Sequence, residues 1–254
     1  APHVRRDLPT DINIIHLTPE NFPRFLEPTK PNIGVTTWET DRLPKSWVSL
    51  INSLDEVWIP SQWNLEIFRA SGVTKPCFVI PHTLNPEYMV PEEPSIGLAR
   101  PGDPDTYVFY SIFQFLERKN PRGLLLAYLT EFRPEDNTYL IIKTYRQAQY
   151  PEFVDRDRQS IRQEIMAVKE SLHLKEYPPV RLILETLSRD EVLALHSIGD
   201  CYVSPSRGEG FSLVHAEAMA LGKPTIGTAY GGNLEFMNNS NSYLVDYMET
   251  PVWG

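Results

Sequence analysis

The chain has 254 residues, 41% of them hydrophobic and 22% charged, with a formal net charge of −9. This composition suits a soluble globular protein with one or two cores and excludes a disordered one. The acidic balance argues against a nucleic-acid surface or a polybasic membrane anchor, because either needs clustered Lys and Arg to meet phosphate.

Short apolar runs alternate with helix-period segments, the pattern of an α/β protein with parallel sheets and crossover helices. In chain order, strands are predicted at 12–17, 33–38, 56–60 and 78–81, then at 107–113, 139–143, 181–184, 201–204, 225–228 and 243–245. Residues 123–132 and 213–221 read as helices. The clearest helix spans 160–172, where Ile161, Ile165, Val168 and Leu172 fall on one face. Ser188-Arg-Asp-Glu191 opens another with a capping box.

Residues 84–105 carry Pro86, Pro91, Pro94, Pro101 and Pro104 with scattered acids and no periodicity, so they read as an inter-domain connection. This divides the chain into a smaller N-terminal piece, 1–83, and a larger C-terminal α/β domain, 106–254. Cys77 and Cys201 lie in apolar runs and read as buried small hydrophobes of a reducing compartment. The six histidines show no pair at metal-ligand spacing, so no metal site is expected. The sequence has no signal-like or membrane-length apolar run; a cytoplasmic protein is expected, with peripheral membrane association left open.

The chemistry concentrates in the run Glu209-Gly-Phe-Ser-Leu213, followed by Glu217-Ala-Met-Ala-Leu-Gly-Lys-Pro224. Two glutamates eight apart would by themselves read as an acidic helix face. Here the first lies in a glycine-flanked turn and the second about one helical turn beyond a helix start, whose free N–H groups attract phosphate. Backbone N–H groups at Gly210, Phe211 and Ser212, with Leu213 opening the helix, form a candidate anion cradle. A second basic loop, Glu117-Arg-Lys-Asn-Pro121, follows the strand at 107–113 and supplies Arg118 and Lys119.

These residues, with Gly231-Gly-Asn-Leu-Glu235-Phe236 and Asn241-Ser-Tyr-Leu-Val245 in register behind them, resemble the E-x7-E region of group 1 (GT4-type) retaining glycosyltransferases of the GT-B fold. Ser212 replaces that family's second glycine. The resemblance runs from about Gly34 to Leu244. It implies a complete or nearly complete C-terminal Rossmann-like domain that binds a nucleotide-sugar donor, preceded by a partial N-terminal Rossmann-like domain on the acceptor side, with both ends of the family pattern cut.

By the same resemblance, Glu209 touches the transferred hexose, Glu217 hydrogen-bonds the ribose, and Lys119 reaches the donor phosphates. The nucleotide base is bordered by Thr186 and Leu187. Gln114 stands where the family usually has an arginine, and Arg118 or Arg207 could substitute for it. Trp38-Glu39 stands where many members carry a histidine facing the reaction centre, which makes Glu39 a candidate for lining the acceptor side. His82 matches the hinge and is expected to be a packed linker histidine.

The implied activity is transfer of a hexose from a nucleoside-diphosphate sugar, with retention and without a metal or other cofactor, to an unidentified glycan, lipid or small-molecule acceptor. A nucleotide-sugar-binding module without turnover, and a GT-B-fold nucleotide-sugar hydrolase or epimerase, are the rival readings. An incomplete first domain would leave a sheet edge and apolar surface uncovered, so self-association through it is also expected.

Overall fold

The computed structural model describes residues 10–85, 99–146 and 153–251. Most of the proline-rich connection, residues 86–98, lies outside the described residues. The chain forms two compact units. The first comprises the residues up to His82 together with Glu209–Phe211 and Gly231–Glu235. The second comprises Thr83–Gly208, Ser212–Tyr230 and the chain from Phe236 onward.

In the first unit, β1 (Asn13–His16), β2 (Asn32–Val35), β3 (Glu56–Ile59) and β4 (Cys77–Val79) make an all-parallel sheet in the order β1-β2-β3-β4. The connections contain α1 (Lys45–Ile51) and α2 (Gln62–Ala70). Phe22, Ile51, Leu54, Val57 and Phe68 are wholly buried in its core. Each such side chain contributes roughly 1.5–3 kcal/mol relative to exposure. Ser61 caps α2 in an extended conformation, its hydroxyl accepting from the Asn64 N–H at 3.2 Å.

The second unit is a six-stranded parallel sheet of β5 (Tyr107–Gln114), β6 (Thr138–Tyr145), β7 (Val180–Ile183), β8 (Cys201–Ser204), β9 (Thr225–Thr228) and β10 (Tyr243–Val245). Strands buried on both faces read as near-continuous apolar runs, and β6 shows this clearly. One face packs Leu140 and Ile142 against α3 (Pro121–Glu131) and α4 (Val154–Leu172). The other packs Val108, Tyr110 and Ile141 against α5 (Arg189–Ile198) and α6 (Leu213–Ala220).

The strand order is β10-β9-β8-β5-β6-β7. The chain therefore runs outward from β5 to β7, returns to β8 on the other flank of β5, and continues to β10. This reversal leaves a crevice outside the carboxyl ends of β5 and β8, where open α/β sheets bind ligands.

All ten predicted strands are present. The helix predicted at 160–172 begins earlier, at Val154, with Asp155 and Asp157 in a first turn where the helix dipole favours acids. The helix predicted at 123–132 spans Pro121–Glu131, because Pro121 suits the first helical position and the Asn120 side chain caps the Gly123 N–H at 3.1 Å. The helix predicted at 213–221 ends at Ala220. At Ser188 and Glu191 the reciprocal capping box is formed. Both cysteines are free, Cys201 buried and Cys77 half-buried; burial pushes both thiols up, that of Cys201 to about 11. Among the described residues no helix is long and apolar enough to cross a membrane.

Candidate functional site

At the crevice of the second unit, the loop after β5 and the loop after β8 are tied together by hydrogen bonds to backbone carbonyls. Arg207 N–H donates to the Arg118 carbonyl at 2.7 Å, the Ser206 hydroxyl to the same carbonyl at 3.2 Å, and the Asn120 amide to the Pro205 carbonyl at 3.1 Å. Thr228 on β9 braces the second loop through the Ser206 carbonyl at 2.7 Å. Glu117–Lys119 forms a single 3-10 turn that ends at Asn120 in a left-handed conformation, φ 53°. Such a tight turn sets consecutive side chains at fixed angles.

The basic residues here divide by role. Arg118 donates to the Gly208 carbonyl at 2.6 Å and so braces the loop. Arg207 pairs with Glu117 at 2.9 Å, but both side chains are at least half exposed, so the pair adds little stability. Lys119 is half-buried on the same turn. The Gln114 amide donates to the Arg146 carbonyl at 2.7 Å.

Ser212, the N-cap of α6, has φ 72° and ψ 77°. That is the left-handed region where glycine is at ease, which explains physically why the resembling pattern has glycine there. The serine hydroxyl meets His215 Nδ1 at 2.7 Å. Leu213, the first residue of α6, is exposed.

One turn further on, the Glu217 side chain is largely buried. Arg189 donates to its Oε1 at 2.7 Å, and His196 Nε2 lies 3.9 Å from Oε2. His196 is wholly buried and its Nδ1 meets the Tyr110 hydroxyl at 2.8 Å. Burial is the largest single influence on Glu217 and opposes ionisation. The nearby His196 ring and the hydrogen bond and charge of Arg189 together outweigh it, holding the carboxyl below its usual range. Thr186 is exposed and Leu187 packs on the α5/α6 side of the sheet, immediately before the capped start of α5 that carries Arg189. The Arg189 bridge therefore joins the 186–188 loop to Glu217.

The first unit contains Glu209, Gly210 and Phe211, all buried. The Gly210 carbonyl accepts from the Ser61 hydroxyl at 3.0 Å and from the Asn64 amide at 3.1 Å. Gly232 N–H donates to the Glu209 carbonyl at 2.6 Å. A Cβ on Gly232 would run into the Gly210 carbonyl, and one on Gly210 into the Thr37 hydroxyl. At Gly232 the obstacle is backbone, so only glycine fits there.

Asn64 has no exposed surface and also accepts from Trp38 N–H at 2.8 Å while donating to the Trp38 carbonyl at 3.3 Å. It thus holds the Trp38-Glu39 segment and the Glu209–Phe211 loop on one side chain. Glu39 is half-buried beside Trp38, whose indole N–H donates to Thr40 and Arg42. Glu235 caps α2 by accepting from Gln62 N–H at 2.7 Å. The His82 ring packs edge-on to Phe211, 5.2 Å between centroids, and burial first, then the charge of His16, lowers its pKa.

The roles of Ser61, Asn64, Arg189 and His196 escaped the sequence reading. A serine before an apolar helix is a readable cap signal. Asn64 and His196 carry no such signal, since each looks like an ordinary polar residue within a helix until its partners are known.

Residues 166–247 match the family model described as Glycosyl transferases group 1. The chain is 23% identical over 242 residues to uncharacterised protein 356 of Sulfolobus islandicus rod-shaped virus 1, covering 91% of this chain and 61% of that one. Among solved structures it is similar to a UDP-forming α,α-trehalose-phosphate synthase from Burkholderia xenovorans, with TM-score 0.70 and 16% identity over 93% of this chain and 62% of that one. It is also similar to Anabaena HepE in complex with UDP and glucose, with TM-score 0.64 and 17% identity over 85% and 58%. A sucrose-phosphate synthase from Thermosynechococcus elongatus gives TM-score 0.64 and 19% identity over 86% and 55%. The chain spans about three fifths of the length of these relatives. Its fold is the parallel α/β fold of the GT-B glycosyltransferases, with the group 1 pattern over residues 166–247.

Proposed function

We propose that this chain binds a nucleoside-diphosphate sugar, with uridine diphosphate as the nucleotide, and takes part in retaining, metal-independent hexosyl transfer of the GT4 type. The observation that carries the reading is the pair of interlocked loops at the strand reversal between β5 and β8, one bearing Lys119 and the other leading into Gly210–Leu213. A departing diphosphate needs charge compensation, and a lysine with a helix start can supply it without a metal. In this reading Glu217 holds the ribose, Thr186 and Leu187 border the base, and Glu209 orients the sugar. Glu39 lines the acceptor side, and Arg118 serves as a brace for the phosphate loop.

Calorimetric titration of UDP-, GDP- and ADP-sugars, paired with an assay of donor turnover, tests this. Specific binding of the UDP-sugar, lost in Lys119→Met, is expected. Turnover should be lost in Glu209→Gln while binding persists. If none of the nucleotide-sugars binds at millimolar concentration, the reading fails. Binding with no turnover under any acceptor would favour a binding module instead.

A further inference from the structure

Lys143 lies on β6, in register with Ile112 of β5 and Ile183 of β7, two residues before the strand's carboxyl end at Tyr145. It is only 6% exposed. Strand alternation puts it on the face of Ile141, the face covered by α5 and α6 and bordered by Leu187 and Val214. A lysine this deep ordinarily has a carboxylate or carbonyl partner. Among the described residues none hydrogen-bonds or ion-pairs with its Nζ. Its contact is the ring of Tyr145, 5.2 Å from Nζ to centroid. Burial lowers its pKa, with the charge of Glu185 pulling the other way.

The neighbouring strand supplies the complementary fact. Gln114, in register with Tyr145, stands where the resembling pattern has an arginine, and its amide is committed to the Arg146 carbonyl. Near this carboxyl end of the sheet β5 therefore lacks a cation, while β6 holds a buried one whose Nζ has no hydrogen-bond or ion-pair partner among the described residues. An ammonium in a site of low dielectric gains most from an incoming anion, because its hydration is already largely lost.

We infer that Lys143 is the second cationic contact of the donor diphosphate, in place of the arginine that Gln114 replaces. This rests on the donor reading proposed above. Ligand-free, the buried ammonium is a cost to the fold; with the diphosphate bound, it has its partner.

The test compares wild type with Lys143→Met, an apolar residue of similar length. UDP is titrated calorimetrically, uridine is followed by ligand-observed NMR at millimolar concentration, and the thermal midpoint is measured without ligand. The expected result is UDP affinity lower by about 10- to 100-fold, uridine affinity unchanged, and a raised ligand-free midpoint because the cost of burying the ammonium is gone. Equal losses for UDP and uridine, unchanged UDP affinity, or a lowered ligand-free midpoint would each overturn the assignment. Wild type binding UDP while the variant binds it equally well defeats Lys143 alone. Wild type binding no nucleoside diphosphate defeats the donor reading and this inference together.

Discussion

The Glu209–Phe211 loop is positioned by neutral backbone contacts, whereas Glu217 is positioned by charge. Around the loop, Ser61, Asn64 and Gly232 hydrogen-bond to the carbonyls of Glu209 and Gly210, and glycines leave no room for a side chain. Around Glu217, Arg189 and His196 face the two carboxylate oxygens, with Tyr110 behind His196. The first arrangement tolerates almost no change of shape. The second tolerates shape changes but weakens when its charges change. The backbone that carries Glu209 and the side chain of Glu217 are thus held by different contacts, and substitutions should separate them.

The sharpest break is expected at Gly232→Ala, where the new methyl meets the Gly210 backbone and no flexible side chain can yield. Overpacking against backbone should cost about 3 kcal/mol, or about 6–12 °C in thermal midpoint for a protein of this size. Differential scanning fluorimetry reads this directly, and a shift under a degree would show that the loop is not locked as described. Asn64→Ala should come next. It leaves the Trp38 N–H without its acceptor and removes one donor from Gly210, at about 2–3 kcal/mol in urea denaturation. That loss should be the same at pH 5 and pH 8.

Arg189→Met probes the charged side of the comparison. The Glu217 carboxyl lies below its ordinary pKa in the folded state, so its contribution is fully present above the ordinary carboxylate range and is lost as pH falls through the folded-state value. Arg189 is partly exposed, which limits the expected cost to about 1 kcal/mol at neutral pH. The gap between wild type and variant should close as the solution is acidified. A gap that stays constant from neutral to acid pH would mean that Arg189 acts by packing rather than charge.

The same contrast explains what the sequence made legible. Strands and helices follow from apolar periodicity, which is local, so β5 through β10 and the α5 capping box are readable from residues a few positions apart. The order β10-β9-β8-β5-β6-β7 depends on how crossovers pack, and no local pattern in the chain states it. Glu209 announces itself through its flanking glycines, and Glu217 through its spacing eight residues on, just inside a helix start. Asn64 does not, because its partners are 26 and 146 residues away in the sequence. His196 is similar: its meaning comes from Tyr110, 86 residues earlier. Buried polar side chains are chosen by long-range partners, so they are the residues a sequence conceals.

Ser212, the residue following the loop, combines both modes and should give the smallest effect. Its left-handed backbone costs a non-glycine residue about 1 kcal/mol, while the hydrogen bond with His215 returns about 1 kcal/mol. Ser212→Gly removes both terms and should leave stability within about 0.5 kcal/mol of wild type. Ser212→Ala keeps the strained backbone and loses the hydroxyl, so it should fall about 1 kcal/mol below both. Urea denaturation of the three proteins orders them. If alanine matched serine, the hydroxyl would contribute nothing. If glycine were more stable by over 1 kcal/mol, the strain would be uncompensated, and serine's presence at this cap would need a reason other than folding.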